Sequence, residues 1–216
     1  MRYFIRREWL MLLILLSTLI AAVLIYPYMP EQVPIHWNFR GEVDDYGSRE
    51  FGTFFIPLLN IAMYLLFLVL PKLDPKKSNY EKFSGSYRLI RYAMHIFMAG
   101  LFAATTLASL GYNIDISLCI SVSAALLFII MGNIMGKVKH NYFVGFRFPW
   151  TLANEDVWKR THRFGSKAMV IGGIAALAGV LLTENAARFI ILMAGIFLPT
   201  ILTTIYSYLV FRRIAN

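Results

Sequence analysis

Six blocks of apolar residues, each long enough to cross a bilayer core as a helix, constrain this chain more than any motif in it. Such a helix needs roughly 20 residues. The blocks run at about Trp9–Tyr28, Phe51–Leu70, Tyr92–Tyr112, Ile116–Met135, Ala168–Thr183 and Phe189–Phe211. Of the 216 residues, 58% are hydrophobic and 15% charged, where a soluble domain carries about 25% charge. Backbone polar groups cannot go unpaired in lipid, so each block has to be helical. The expected fold is therefore an all-α integral membrane protein, a six-transmembrane-helix bundle with a long extracytoplasmic loop and an interfacial cytoplasmic helix. The first block follows arginines, as a secretory signal does, but Ile25-Tyr26-Pro27-Tyr28 offers no small residues for cleavage. It reads as an uncleaved anchor. The single cysteine, Cys119, excludes an intramolecular disulfide.

Six spans place both termini on one side, and basic residues say which. Eighteen of the 21 Lys and Arg fall in the N-terminus, the second and fourth loops and the tail; the other face has Arg40, Arg49 and Arg188. Positive charge in short loops stays in the cytoplasm, which predicts N-in and C-in. In a soluble chain the net charge of +9 would suggest nucleic acid. Here it belongs to the loops that set topology, and no direct nucleic-acid binding is expected. The chain divides into a two-span region over 1–70 with its outer loop at 29–50, a polar connector over 71–91, and a four-span region over 92–216 with a cytoplasmic loop at 137–167.

Small residues four apart mark close helix packing: Gly132/Gly136, Gly100/Ala104, Ala104/Ala108, Gly172/Ala176 and Ala175/Gly179. They pack the bundle or form a dimer seam, and homo-oligomerisation stays open. Pro199 is expected to kink the sixth span, with Thr200, Thr203 and Thr204 serving the freed carbonyls. No Asp, Glu, Lys or Arg falls at the middle of a span, which argues against an ion-coupled carrier. Asn60 reads as an interhelical hydrogen-bonding residue, and His95 as interfacial. No H-E-x-x-H, G-x-S-x-G or Walker sequence is present. His140 and His162 are the one histidine pair able to share a site, and they lack the further ligands a metal needs. No cofactor, metal or catalytic residue is implied. A membrane enzyme or small-molecule transporter with the outer loop as its lid is the rival reading.

Two loops are long enough to be functional. In the outer one, Pro30 and Pro34 rigidify an extended run, Val33, Ile35 and Trp37 alternate, and Gly41 and Gly47 allow tight turns. Five acids against Arg40 and Arg49 suit a cationic or amphipathic ligand, for which His36, Trp37, Asn38, Gly41 and Asp44 are the candidate contacts. The alternative is a cap in which Trp37 and Phe39 sit at headgroup level. In the inner loop, a helix capped by Asn154 is predicted, with Val157, Trp158, Thr161 and Phe164 on one face and Lys159, Arg160 and Arg163 near its end. That describes an amphipathic helix lying at the interface, Trp side in the membrane and Arg side toward anionic lipid, with a protein-docking site as the alternative.

The inner stretch Asn141-Tyr-Phe-Val-Gly-Phe-Arg-Phe-Pro-Trp-Thr-Leu, continuing to Trp158-Lys-Arg-Thr-His-Arg, resembles the signature of the SdpI-type bacterial immunity proteins. The outer stretch Pro34-Ile-His-Trp-Asn-Phe-Arg-Gly resembles the uncharacterised N-terminal domain often fused to it. One departure is visible: Phe148 stands where threonine is expected. The resemblance implies a bacterial plasma-membrane protein that protects its cell from a secreted peptide toxin. It also implies a second role, holding a cytoplasmic transcriptional repressor at the membrane. It points to Asn141, Tyr142, Gly145, Arg147, Pro149, Trp150, Thr151, Trp158, Thr161, His162 and Arg163 as residues that bind partner or membrane, with the lipid bilayer itself as a partner.

Overall fold

A computed structural model describes residues 2–215, with side chains from 8 to 214. The side chains of Arg2, Arg6 and Arg7, on which part of the orientation argument rests, lie outside the described residues. The chain runs α1 (Arg2–Ile25), a 3-10 turn (Tyr26–Tyr28), β1 (Gln32–Trp37), β2 (Val43–Ser48), α2 (Arg49–Leu73), α3 (Asn79–Lys82), α4 (Ser84–Ser109), α5 (Ile116–Met135), α6 (Pro149–Ala153), α7 (Glu155–Leu182) and α8 (Asn185–Ala215). Six of these helices (α1, α2, α4, α5, α7 and α8) are long and apolar enough to cross a membrane. Their ends are written in the sequence: Ser48, Asp115 and Asn154 accept backbone N–H bonds at the starts of α2, α5 and α7, satisfying donors that the first turn leaves orphaned.

The outer loop departs from an all-α description. It is an antiparallel hairpin, with Gln32 opposite Ser48, Trp37 opposite Val43, and irregular pairing around His36. Val33 is buried against the start of α2, where a Cβ at position 52 would collide with it, so Gly52 is what lets the strand lie on the helix. Gly41 serves the turn with φ +82°, whereas Gly47 lies within β2 and makes no turn.

Helices α1, α2 and α4 form one group, α5, α7 and α8 another, and α4 packs on α5 to join them. Leucines and isoleucines such as Leu16, Ile20, Ile174, Leu181, Ile201 and Ile205 point outward. Lipid is as apolar as these side chains, so helices associate through close packing rather than apolar burial. The small residues supply that packing inside the chain: Gly132 abuts Met169 and Val170, Gly173 abuts Ile129, and Gly172 abuts Gly195 and Pro199. Gly100 has open space beside it. Pro199 lies inside α8, but the threonines do not serve the carbonyl it frees. Thr200, Thr203 and Thr204 bond the carbonyls of Ile196, Pro199 and Thr200. The carbonyl that Pro199 frees is Gly195's, and it lies instead against Gly172.

The first helix group holds a buried ion pair that neither hydropathy nor spacing reveals. Arg91 donates to both carboxylate oxygens of Glu8, at 3.1 and 2.6 Å, and both residues are buried. His95 is fully buried rather than interfacial. Its Nδ1 lies 2.7 Å from Asn60 Oδ1, so Asn60 does join two helices, α2 and α4.

Candidate functional site

At the end of the bundle opposite the hairpin, the connector and the 137–154 loop fold into one buried structure. Asn141 is wholly buried and uses its whole amide: Nδ2 donates to the carbonyls of Lys139 and Val144, and Oδ1 accepts from the N–H groups of Phe143 and Val144. This closes a tight turn that Arg147 clasps from outside by donating to the Tyr142 carbonyl at 3.0 Å. Gly145 follows at φ +119°, a region disfavoured for residues with a Cβ. A Cβ there would also sit on Nε2 of His162.

His162 is the hinge of this arrangement. Its Nε2 accepts from the Phe146 N–H at 3.0 Å, and its Nδ1 lies 2.9 Å from the Trp158 carbonyl. A ring that accepts at one nitrogen and donates at the other is neutral, in a single tautomer. The ring also stacks on Trp158 at 3.9 Å, and Trp158 Nε1 donates to Val138. Both nitrogens of His162 are therefore committed to the fold. Trp158 is 1% exposed, so it belongs to the protein core and not to the lipid interface. Likewise, the expected interfacial helix is no separate element: residues 155–167 are the first turns of α7, continuous with the span. The separate helix is α6, with Pro149 in its first turn. Trp150 fastens α6 to α8 through Ser207, at 2.9 Å, and through Tyr208. The buried Thr151 hydroxyl accepts from the Phe148 N–H and donates to the Phe146 carbonyl. A threonine at position 148 could cap α6 itself; Phe148 cannot, and its ring stacks on Trp150. Thr161 is buried beneath the loop, while Tyr142 and Arg163 are exposed.

Residues of the connector, which reads in sequence as a polar linker, complete this site. Asp74 is 2% exposed and accepts from the N–H groups of Lys76 and Tyr142 and from the Tyr80 hydroxyl. Burial and the Asp74 carboxylate hold the Tyr80 phenol far above its usual range, so it remains a donor. Lys76 Nζ lies 2.8 Å from His140 Nδ1, and Asn79 donates to the His140 carbonyl. Burial and the Lys76 charge push the His140 imidazole below its ordinary value. The aromatic spacing Tyr80, Phe83, Tyr87 is the signal that could have revealed a buried face here; all three are core residues.

At the hairpin end, Trp37, Arg40 and Gly41 face the first turn of α5 and the α7–α8 turn across a polar cavity of about 470 Å³. Arg188 donates to Asp115 at 2.8 Å within its lining, a pair hidden in two connections that read as mere turns. Partial burial pushes the Asp115 carboxyl up, but the Leu118 N–H and Arg188 outweigh it and hold it below its usual range. Gly41 approaches Ser117 so closely that a Cβ would meet its side chain at 3.0 Å. The other outer candidates stand apart from the cavity. His36 bonds Asp44 across the exposed strands at 2.5 Å. Asn38 shapes the turn, its Oδ1 accepting from the N–H groups of Arg40 and Glu42.

Comparison with known proteins joins these two ends. Residues 137–207 match the SdpI/YfhL protein family, and residues 12–61 match a domain of unknown function, DUF1648. The chain is 28% identical to the immunity protein SdpI of Bacillus subtilis (strain 168), over 97% of its own length and 98% of that protein's. No solved structure matches it. With six membrane-length helices and a profile match spanning the motif loop, α6, α7 and most of α8, this multi-pass protein of the bacterial plasma membrane is similar to the SdpI family.

Proposed function

We propose that this chain is a membrane immunity protein that protects its cell from a secreted peptide toxin, meeting the peptide at the hairpin end of the bundle. The observation that carries this reading is the polar cavity beneath the hairpin. It is lined by residues from both matched segments, Trp37 and Arg40 from one and Glu184 and Arg188 from the other. A lone cap would need only an apolar underside; this one closes over unlike charges and amide groups, which suit the backbone and side chains of a peptide. Likeness to a named immunity protein along the whole chain supports the same role.

In this reading the hairpin is extracytoplasmic and both termini are cytoplasmic, as the distribution of Lys and Arg favours. The compact motif end then faces the cell interior, where the family resemblance suggests an additional contact with a repressor. Recognition here is binding, not catalysis. Expression in a toxin-sensitive bacterium, challenged with purified secreted peptide toxins, tests the proposal. Survival above the empty-vector control supports it; equal killing by every toxin, with the protein abundant in the membrane, removes it. Cysteines introduced at Asp44 and Lys77 test the orientation: an impermeant thiol reagent should label the first in intact cells and not the second.

A further inference from the structure

The start of α7 carries more positive charge than the described residues around it neutralise. Lys139, Lys159, Arg160 and Arg163 line a cavity of about 330 Å³ beside His140 and Trp158. Of the described residues lining it, Glu155 alone is acidic, and Lys159 already engages it at 3.2 Å. Lys139, Arg160 and Arg163 form no ion pair among the described residues. A fifth cation stands behind the wall. Lys76 is held 2.8 Å from His140 Nδ1 rather than against a carboxylate. An ammonium can only donate, so Nδ1 is the acceptor and the imidazole proton lies on Nε2. Three of these five cations, Lys139, Arg160 and Arg163, therefore line the cavity with no acidic partner among the described residues.

The arrangement selects an acceptor-rich anion. Arg160 and Arg163 are three residues apart and share a helix face, and guanidinium forks fit phosphate oxygens in pairs. The apolar run of α7 begins at Ala168, about 8 Å along the helix from Arg163, so the cavity stands at the level of lipid headgroups. We propose that it is a binding site for a phosphate group, supplied by the headgroup of an anionic phospholipid. This site is separate from the hairpin-end cavity and does not depend on toxin recognition.

The test uses the full chain in phosphatidylcholine nanodiscs, with thermal unfolding as the readout. Phosphatidylglycerol is added to the discs in one arm; inorganic phosphate or pyrophosphate is added to the buffer in the other. R160Q/R163Q is compared with R212Q/R213Q, which removes the same charge from the exposed end of α8. Phosphatidylglycerol should raise the unfolding temperature of the wild type and of R212Q/R213Q. In R160Q/R163Q its apparent affinity should fall roughly tenfold or more, since each basic residue at an anionic surface contributes on the order of 1 kcal/mol. Stabilisation by soluble phosphate alone keeps the phosphate site and assigns its ligand to solution. Equal loss in both double variants would reduce the effect to bulk charge attraction and overturn the proposal. Stabilisation by polyglutamate, but by neither phosphate source, would make the patch a protein-docking surface and also overturn it. Lys139→Gln, in the exposed loop, supplies the same comparison if R160Q/R163Q does not fold.

Discussion

Asp74 and Tyr142, 68 residues apart in the chain, share a hydrogen bond: the Tyr142 N–H donates to Asp74 Oδ2 at 2.9 Å. Asp74 ends α2, and Tyr142 sits in the turn that Asn141 builds, so one buried carboxylate ties the connector to the motif loop. It accepts from three donors and donates to none.

Asp74→Asn should therefore destabilise the protein despite its near-identical shape. An amide would turn its Nδ2 toward one of those donors, leaving a buried N–H or O–H unpaired, which costs about 1–3 kcal/mol. Unfolding temperature in nanodiscs checks this against Asp44→Asn, where the carboxylate is exposed. A fall no larger than that of the control would show the Asp74 carboxylate to be dispensable.

The helices are legible in the sequence because hydropathy reports burial in lipid directly. The fourth span matches its apolar block to the residue, Ile116 to Met135, since Asp115 caps it and the polar Lys137 follows its end. The fifth helix is longer than its block. Arg160, Arg163 and Lys167 interrupt the apolar run, although nothing in them breaks a helix, and α7 continues through them. In the hairpin, Val33, Ile35 and Trp37 alternate visibly, but β2 is Val-Asp-Asp-Tyr-Gly-Ser and carries little strand propensity; backbone pairing with β1 holds it. The site is legible where its contacts are local, as at Asn141 and Asn154. It is not legible where the partner lies 61 to 83 residues away, as with His140 and Asn79 or Glu8 and Arg91. No local spacing records such pairs.

Gly145→Ala should lose stability for two separable reasons, its positive φ and the collision with His162. Combining it with His162→Ala removes the collision and leaves the backbone strain. The double variant should then be more stable than the two single losses predict when added, by more than about 0.5 kcal/mol. A denaturant-unfolding cycle measures this. Simple additivity would mean that the added methyl group and the His162 ring do not meet.

Acid should weaken the Asp115–Arg188 pair. The Asp115 carboxyl titrates below its ordinary value of 3.8 in the folded protein. Its contribution to stability is complete above that ordinary value and is lost as pH falls through the lower, folded value. The unfolding-temperature gap between wild type and Asp115→Asn should therefore be constant from pH 7 to about pH 5 and close below about pH 4. Because the Asp115 side chain is half exposed, the gap should be small and should shrink with salt. A gap that widens on acidification would contradict the assignment.

The most direct test of the account is protection by a Trp37→Ala, Arg40→Ala variant in the toxin-sensitive strain. Both residues line the hairpin-end cavity, and Arg40 makes no ion pair among the described residues, so their loss should spare the fold. Survival should drop at least tenfold relative to wild type at equal membrane abundance, as removal of an aromatic and an arginine anchor at the centre of an interface predicts. Undiminished survival at that abundance would contradict recognition at the hairpin end.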